Sequence, residues 1–192
     1  MRNKIIFSLV SAVIISILAL IYITKSVSNN SEAKIGGTFI LQDQNGQTKT
    51  EKDLLGKYNI VFFGFTNCPD MCPTGLTVIS QVMTALGNKA SNIIPIFITV
   101  DPNNDRPEVL KRYLNNFYRN IIGLTGDEAH IKQVQDAYKV FATKVEQPSV
   151  PNGYTMDHSA FIYLMDKNGK YVNHFSYNDS VEKITSVIAP LL

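Results

Sequence analysis

The alternation of apolar and polar positions divides the chain into segments typical of strands and helices. Two nearly continuous apolar runs, Tyr58 to Phe65 and Ile93 to Val100, suit strands that are covered on both faces. Between them, apolar residues recur at spacings of three and four from Thr74 to Leu86, the pattern of an amphipathic helix. We therefore expect a strand, helix, strand unit at the centre of the fold, with Pro95 near the start of its strand.

Two segments with turn signals predict a β-hairpin on either side of this unit. Phe39 to Gln42 and Gln47 to Thr50 flank an Asn-Gly dipeptide, which suits a two-residue hairpin turn. Near the carboxyl end, Ser159 to Met165 and Tyr171 to Phe175 are joined through a second Asn-Gly pair. The sequence therefore predicts an amino-terminal hairpin and a second one near the end of the chain.

Helical periodicity predicts three further helices. They cover Asp105 to Phe117, whose first residues form an N-cap region, Asp127 to Phe141, and Ser180 to Ala189. A short segment, Ile121 to Thr125, separates the first two, and Gln147 to Met156 reads as a loop long enough to suggest a functional role. The order of elements predicts an α/β, thioredoxin-like fold with an added N-terminal β-hairpin.

An uncharged apolar segment precedes this domain. Ile5 to Ile23 spans nineteen residues, enough to cross a bilayer core of about 30 Å. A cleaved signal peptide is the alternative, but the bulky end of the run favours a retained transmembrane anchor. The basic residues before it predict that residues 1–4 lie in the cytoplasm, which places the rest of the chain on the outer side. There, residues 24–34 form a tether and residues 35–192 a domain. We expect a single-pass protein of the inner (cytoplasmic) membrane, with its soluble domain in the periplasm.

The charge balance excludes a nucleic-acid partner. From Lys34 onward the chain carries 15 basic and 15 acidic residues, so the overall charge of +2 comes from the membrane-proximal segment. About 160 residues is a usual size for a single domain with its own core. A neutral domain of this kind lacks the basic surface by which proteins attract nucleic acid.

The two cysteines of the chain lie close together, directly after the first predicted central strand. Cys68 and Cys72 are separated by three residues, and each precedes a proline, which disfavours a helical conformation. Pro73 fits the first turn of the following helix, so we expect Cys72 to cap that helix. The sulfurs would then lie at the positive end of the helix and the carboxyl end of a strand, a position that lowers thiol pKa values.

A cysteine pair at this spacing is compatible with several kinds of chemistry. It can close a disulfide bond, bind a soft metal, or do both in turn. A purely structural disulfide is the simplest alternative, but so short a loop removes little entropy from the unfolded chain. Three intervening residues favour a metal, because the sulfurs can separate around it, without excluding redox chemistry.

A metal held by two thiolates needs a further ligand, and the chain has three histidines. His130 falls in a predicted helix and suits the surface, and His174 falls in an edge-like strand. His158 instead follows the long loop and begins an apolar strand, next to Asp157, whose carboxylate could orient it. Two thiolates and one imidazole suit Cu(I), whereas structural zinc usually takes four ligands.

Five other side chains have a simple structural interpretation, and four of them also have a functional one. Met71 or Met156 could add a thioether ligand, although both suit packing. Asp101 and Asp105 follow the second central strand and could bind a harder cation or shape a docking surface, although capping and turn formation explain them more simply. Tyr163 suits a core or sheet-face aromatic position.

Four stretches of the chain resemble the Sco/SenC family of membrane-anchored copper chaperones. They are spread over about residues 36–175 and so cover nearly the whole predicted domain. The stretches are 63–74 (FGFTNCPDMCPT), 98–102 (ITVDP), 122–126 (IGLTG) and 157–166 (DHSAFIYLMD).

This resemblance implies a thioredoxin-like fold and a copper site formed by Cys68, Cys72 and His158, for Cu(I) and, as a second candidate state, Cu(II). It also implies maturation of the binuclear copper centre in subunit II of cytochrome c oxidase, by copper delivery, by reduction of the target cysteines, or by both. The implied partners are that subunit, an upstream copper donor and a thiol reductant. Asn67 stands where many relatives carry His, which removes a nearby imidazole but no primary ligand.

Three activities therefore compete at the cysteine pair. The first is a metallochaperone, which is not an enzyme, and the second is a thiol-disulfide oxidoreductase with Cys68 and Cys72 as its redox-active pair. The third is a peroxidase of the peroxiredoxin type. Thr66 lies two residues before Cys68, whereas that family has its threonine three residues before, and no arginine lies close in sequence. These differences disfavour the peroxidase.

Overall fold

The computed structural model describes residues 15–19, 34–150 and 152–192. The chain divides into two units, Met1–Lys34 and Ile35–Leu192. In the first unit, residues 15–19 are helical and exposed. Most of the predicted anchor and tether lies outside the described residues, and none of the helices that are described is long and apolar enough to span a membrane.

The second unit is built on a seven-stranded mixed sheet. Its central three strands, β3, β4 and β5, are parallel, and the outer strands are antiparallel to their neighbours. The sheet order is β2-β1-β5-β4-β3-β8-β9, and β6 and β7 form a separate two-stranded sheet. In chain order the strands are β1 Ile40–Asp43, β2 Thr48–Thr50, β3 Tyr58–Gly64, β4 Ile93–Thr99, β5 Ile122–Thr125, β6 Ala142–Glu146, β7 Tyr154–His158, β8 Phe161–Met165 and β9 Tyr171–Ser176.

Helices pack against this sheet and connect its strands. The α-helices are α1 Met71–Ala85, α2 Pro107–Leu114, α3 Glu128–Tyr138 and α4 Val181–Ile188, with short 3₁₀ helices at Glu51–Leu54, Gly87–Asn92 and Ala189–Leu191. In α1, Leu76, Ile79 and Met83 are buried at the spacing that the sequence predicts. Both predicted hairpins and the central β3-α1-β4 unit are present, which confirms a mixed α/β fold.

The core lies on both faces of the two central strands. Phe62 and Phe63 are neighbours on β3, point to opposite faces, and are both fully buried, as is Phe97 on β4. This arrangement explains the continuous apolar runs, since a strand that is covered on both sides has no polar face. Pro95 is the third residue of β4 and pairs with Ile60.

The structure differs most from the sequence prediction between α3 and β8. α3 ends at Tyr138 rather than Phe141, because Lys139 adopts a left-handed conformation with φ of 58°. The predicted loop, Gln147 to Met156, is shorter than expected, since Tyr154–His158 form β7 and pair with β6. β6 is mostly exposed and has no apolar face, so its sequence lacks the alternation that would predict a strand.

The predicted N-cap region of α2 contains the capping residue, Arg106, and Pro107 lies in the first turn as expected. Two other boundaries were predicted wrongly. α1 begins at Met71 with Asp70 as its N-cap, so Cys72 lies in the first turn and does not cap the helix. Four residues, 44–47, connect β1 and β2 rather than two, and the Asp43 carboxylate organises them by accepting two backbone N–H groups.

Candidate metal centre

The side chains of Cys68, Cys72 and His158 converge, as the sequence predicts. The two sulfurs and a ring nitrogen lie within 4.8 Å of one another, and all three residues are buried. The cysteines come from the loop between β3 and α1, and the histidine ends β7, 86 positions beyond Cys72. The two cysteines do not form a disulfide bond with each other in the structure.

The cysteine loop is folded so that one sulfur faces the start of a helix. The backbone N–H of Cys68 donates to the Phe65 carbonyl at 3.3 Å, which turns the chain after β3. The backbone N–H of Cys72, in the first turn of α1, donates to the Cys68 sulfur at 3.4 Å. Because the first N–H groups of a helix have no partner within the helix, they stabilise negative charge on that sulfur.

The His158 ring is oriented by its own backbone neighbourhood. Nδ1 lies 2.9 Å from the Ser159 carbonyl oxygen, which accepts the Nδ1–H and so turns Nε2 toward the cysteine sulfurs. Nε2 lies 3.6 Å from the Cys72 sulfur. The Phe65 ring packs edge to face against the imidazole, with 5.8 Å between the ring centroids and an interplanar angle of 86°. The prediction that Asp157 orients the ring is not borne out: Asp157 is exposed, because neighbours on a strand point to opposite faces.

The two thiols are electrostatically unequal, which corrects the expectation that both pKa values are lowered. A hydrogen bond from Cys72, helped by His158 and by the backbone N–H groups of Asp70 and Cys72, lowers the pKa of Cys68 to about 4 against the effect of burial. The hydrogen bond to Cys68 and burial raise the pKa of Cys72 far above its ordinary value of 9.0. The metal-free site therefore holds one thiolate, on Cys68, and one thiol, on Cys72.

Gly64 leaves the space that the Cys72 sulfur fills. A Cβ atom at this last residue of β3 would lie 2.7 Å from the Cys72 sulfur and 2.8 Å from the Phe97 ring. Both distances are shorter than van der Waals contact allows, so any side chain here would displace the sulfur. The sequence contains no separate signal for this role.

Two buried aspartates stand next to the site without capping a helix or offering free oxygens to a cation. Asp105 accepts the backbone N–H of Thr66 at 3.0 Å, the Thr66 hydroxyl at 2.6 Å and the Thr99 hydroxyl at 2.7 Å. Asp101 accepts the Tyr154 hydroxyl at 2.9 Å. Burial raises the pKa of both carboxyl groups, and these hydrogen bonds partly oppose it. The sequence placed both aspartates at the correct sheet edge but did not predict their partners.

The other candidates take the simpler of their two predicted roles. Met71 and Met156 are partly buried and pack against the core, and Tyr163 is buried among core aromatic rings. His130 bonds to the Asp127 carboxylate, which caps α3, and the exposed His174 bonds to the Tyr171 hydroxyl on β9.

The sequence and the fold both match known proteins. The SCO1/SenC family model matches residues 27–192. The chain is 48% identical over 151 residues to an SCO2-like protein of Rickettsia prowazekii, covering 79% of this chain and 74% of the relative.

Solved structures are similar over most of the chain. ScoI of Bradyrhizobium japonicum with copper bound is 46% identical and aligns with a TM-score of 0.76, over 82% of this chain and 99% of the other. Yeast Sco1 with copper bound is 39% identical, with a TM-score of 0.75, over 82% and 87%. The family model covers more than four fifths of this chain, and the copper-bound relatives have the same α/β fold as this chain. The chain therefore belongs to the SCO1/SenC family.

Proposed function

We propose that this protein is a copper metallochaperone whose cargo is held by Cys68, Cys72 and His158. The observation that carries the proposal is the convergence of two sulfurs and one imidazole nitrogen, from distant parts of the chain, at one buried point. A structural cysteine pair has no need of an imidazole with its Nε2 directed at a sulfur.

The chemistry of the donors suits Cu(I). Two sulfurs and one imidazole form a soft set of three, and Cu(I) prefers soft ligands. The lowered pKa of Cys68 favours the thiolate that Cu(I) prefers, and the raised pKa of Cys72 means that Cu(I) would have to displace the Cys72 proton. The copper-bound structures of similar proteins support the same assignment.

We propose that the recipient is the binuclear copper centre of subunit II of cytochrome c oxidase, as the family resemblance implies. Copper would pass as Cu(I) by ligand exchange, with a recipient ligand replacing one donor of this site at a time and with no net oxidation. Cys68 is the less buried of the two cysteines, at 8% exposed against 0% for Cys72, and is therefore the ligand that a docked recipient reaches first.

Copper affinity tests the ligand set. The anaerobically reduced full-length chain should bind one equivalent of Cu(I) in competition with a Cu(I) chelator. His158→Ala should lower that affinity at least about 100-fold, since loss of a mere outer partner of a ligand already costs about 10- to 100-fold. His174→Ala, a matched histidine variant on β9, should bind as the wild type does. Unchanged affinity in His158→Ala would remove the proposed third ligand.

A thiol-disulfide reductase is the second candidate, and the inequality of the two thiols supports it. The Cys68 thiolate would attack a target disulfide, forming a mixed disulfide and releasing one target thiolate. Cys72, after losing its proton, would attack the Cys68 sulfur, closing the Cys68–Cys72 disulfide and releasing the second target thiol. An external thiol would have to reduce the pair again after each cycle.

One variant separates the two candidates. His158→Ala removes a copper ligand but neither sulfur, so it should impair copper binding while sparing reduction of a model disulfide. Cys68→Ser should abolish both activities. Rapid, repeated disulfide reduction by His158→Ala, together with normal target metallation in cells, would favour the reductase over the chaperone.

We further propose that residues 5–23 anchor the chain in the inner membrane, with the domain on the periplasmic side. The uncharged run and its basic flanks support this placement. Intact cells whose outer membrane has been permeabilised test it. External protease should digest the domain, and alkaline carbonate should leave the protein in the membrane fraction. Protection from protease, or release by carbonate, would contradict the placement.

A further inference from the structure

The strand that carries His158 lies outside the main sheet. β6, β7 and the described residues between them, 147–150 and 152–153, form an arm in which the two strands pair only with each other. At its base, the Ser159 N–H donates to the Phe141 carbonyl at 3.0 Å and the Phe141 N–H donates to the Ser159 hydroxyl at 3.1 Å. Main-sheet hydrogen bonds therefore do not hold the strand that carries His158, so contacts of the arm contribute to its position, beside the Ser159 carbonyl and the Phe65 ring that orient the imidazole.

The far end of the arm is fastened by a tyrosine. The Tyr154 hydroxyl lies 2.9 and 3.1 Å from the two carboxylate oxygens of Asp101, to which it donates. The Lys144 ammonium lies 4.0 Å from the centre of the Tyr154 ring. A second, longer bond joins Asn152 of the arm to Asn104, at 3.4 Å. The hydrogen bonds from Tyr154 and Asn152 hold the arm against the loop that follows β4.

The same loop holds the cysteine side of the site. The Asp101 N–H donates to the Thr99 hydroxyl at 2.9 Å, and that hydroxyl donates to Asp105 at 2.7 Å. Asp105 in turn accepts the hydroxyl and the N–H of Thr66, two residues before Cys68. One polar network, buried at Thr99 and partly buried at Thr66 and Tyr154, therefore joins the cysteine loop to the arm.

We propose that Tyr154 is a positioning residue for the metal centre. Tyr154 and His158 are four residues apart on one strand, so their side chains lie on the same face, and the bond to Asp101 holds that face toward the cysteines. If the arm already holds His158 in the binding position, metal binding does not have to order it. The entropy cost of that ordering is avoided, and copper affinity is higher by that amount. This inference rests on the proposed copper site and adds a residue that does not contact the metal.

The substitution Tyr154→Phe tests this role because it removes only the hydroxyl oxygen. Tyr154→Phe keeps the ring and its contact with Lys144 but loses the bond to Asp101. In the full-length chain, purified in mild detergent, it should lower Cu(I) affinity about tenfold, the lower range for a lost hydrogen bond to a charged group. Tyr171→Phe is the matched control, because it also loses a hydroxyl bond, to His174 at 2.6 Å, but on β9. Its Cu(I) affinity should equal that of the wild type.

A double-mutant cycle distinguishes positioning from general stability. If Tyr154 acts through the imidazole, Tyr154→Phe should have no further effect on the weak Cu(I) binding that remains in His158→Ala. An equal loss of affinity in both backgrounds, or wild-type affinity in Tyr154→Phe, would overturn the inference.

Amide hydrogen exchange of the metal-free chain tests, without copper, whether Tyr154 holds the arm in place. Tyr154→Phe should accelerate exchange in residues 142–158 relative to the wild type, and Tyr171→Phe should not. Unchanged exchange in the arm would overturn the inference. If the wild-type chain failed to bind Cu(I) while exchange in the arm responded as expected, the proposed function would fail but the fastening role of Tyr154 would stand.

Discussion

Cys68 and Cys72 are chemically unequal, although the sequence presents them as a matched pair. The difference comes from their positions relative to α1. The Cys68 sulfur accepts an N–H from the first turn of the helix, whereas Cys72 belongs to that turn and is completely buried. A single negative charge is therefore shared by the pair and resides mainly on Cys68, because two adjacent buried thiolates would repel each other.

Titration of the metal-free chain should reveal this inequality. Thiolate absorbance should show one thiolate gained near pH 4, from Cys68, and none from Cys72 in the neutral range. Because the folded pKa of Cys68 lies below its unfolded value of 9.0, its stabilising contribution is complete above pH 9 and is lost as the pH falls toward 4. Cys72→Ala should raise the pKa of Cys68. Two thiolates that both appear near pH 9 would contradict the assignment.

Gly64 provides a steric test at the same scale. Gly64→Ala should destabilise the fold by about 1 to 3 kcal/mol, because its Cβ would overlap the Cys72 sulfur and the Phe97 ring. It should also weaken Cu(I) binding. Gly75→Ala is the matched control, since its Cβ would lie 2.7 Å from the Phe62 ring, and the three atoms nearest to that Cβ all belong to this ring. Urea unfolding and chelator competition should show two destabilised variants, of which only Gly64→Ala loses copper affinity.

At the level of elements, the sequence correctly predicts those strands and helices whose residues follow a local hydrophobic pattern. The β3-α1-β4 unit is correct because its strands are continuously apolar and its helix has one apolar face. The arm was missed because β6 is exposed on both faces and its strand character comes only from pairing with β7. Its long-range bond from Tyr154 to Asp101 spans 53 positions, and no local pattern encodes such a contact.

The end of α3 depends on one strained residue. Lys139 has φ of 58°, a left-handed conformation that costs a side-chain-bearing residue about 1 to 2 kcal/mol. Lys139→Gly should therefore stabilise the protein, by about 0.5 to 1 kcal/mol after allowance for the greater unfolded-state entropy of glycine. In contrast, Gln81→Gly, at an exposed position inside α1, should destabilise it by about 1 kcal/mol. Urea unfolding measures both, and a destabilised Lys139→Gly would refute the account of this helix end.

For the whole molecule, the metal centre joins parts of the chain that are far apart in sequence. The cysteines were identified from sequence by their spacing and flanking prolines, and His158 by its place after the long loop. Their convergence needs the full fold, because β3 and the arm meet only when the sheet has formed. A ligand that bridges such parts binds the native state in preference to the unfolded chain, so copper should stabilise the whole domain.

Thermal unfolding should show this coupling. With free Cu(I) at about 100 times its dissociation constant, the chain should gain about 2.7 kcal/mol and melt at a higher temperature than the metal-free form. A Cys68→Ser, Cys72→Ser double variant should show no copper-induced shift. A large destabilisation of the metal-free double variant, with no copper effect on the wild type, would instead indicate a purely structural cysteine pair.

The most direct measurement is X-ray absorption at the copper edge of the anaerobically loaded full-length chain. The proposed site predicts two sulfur neighbours and one imidazole nitrogen, from Cys68, Cys72 and His158. In His158→Ala the imidazole scattering should disappear while both sulfurs remain. A copper environment that His158→Ala leaves unchanged, or one with no sulfur neighbours in the wild type, would contradict the central claim.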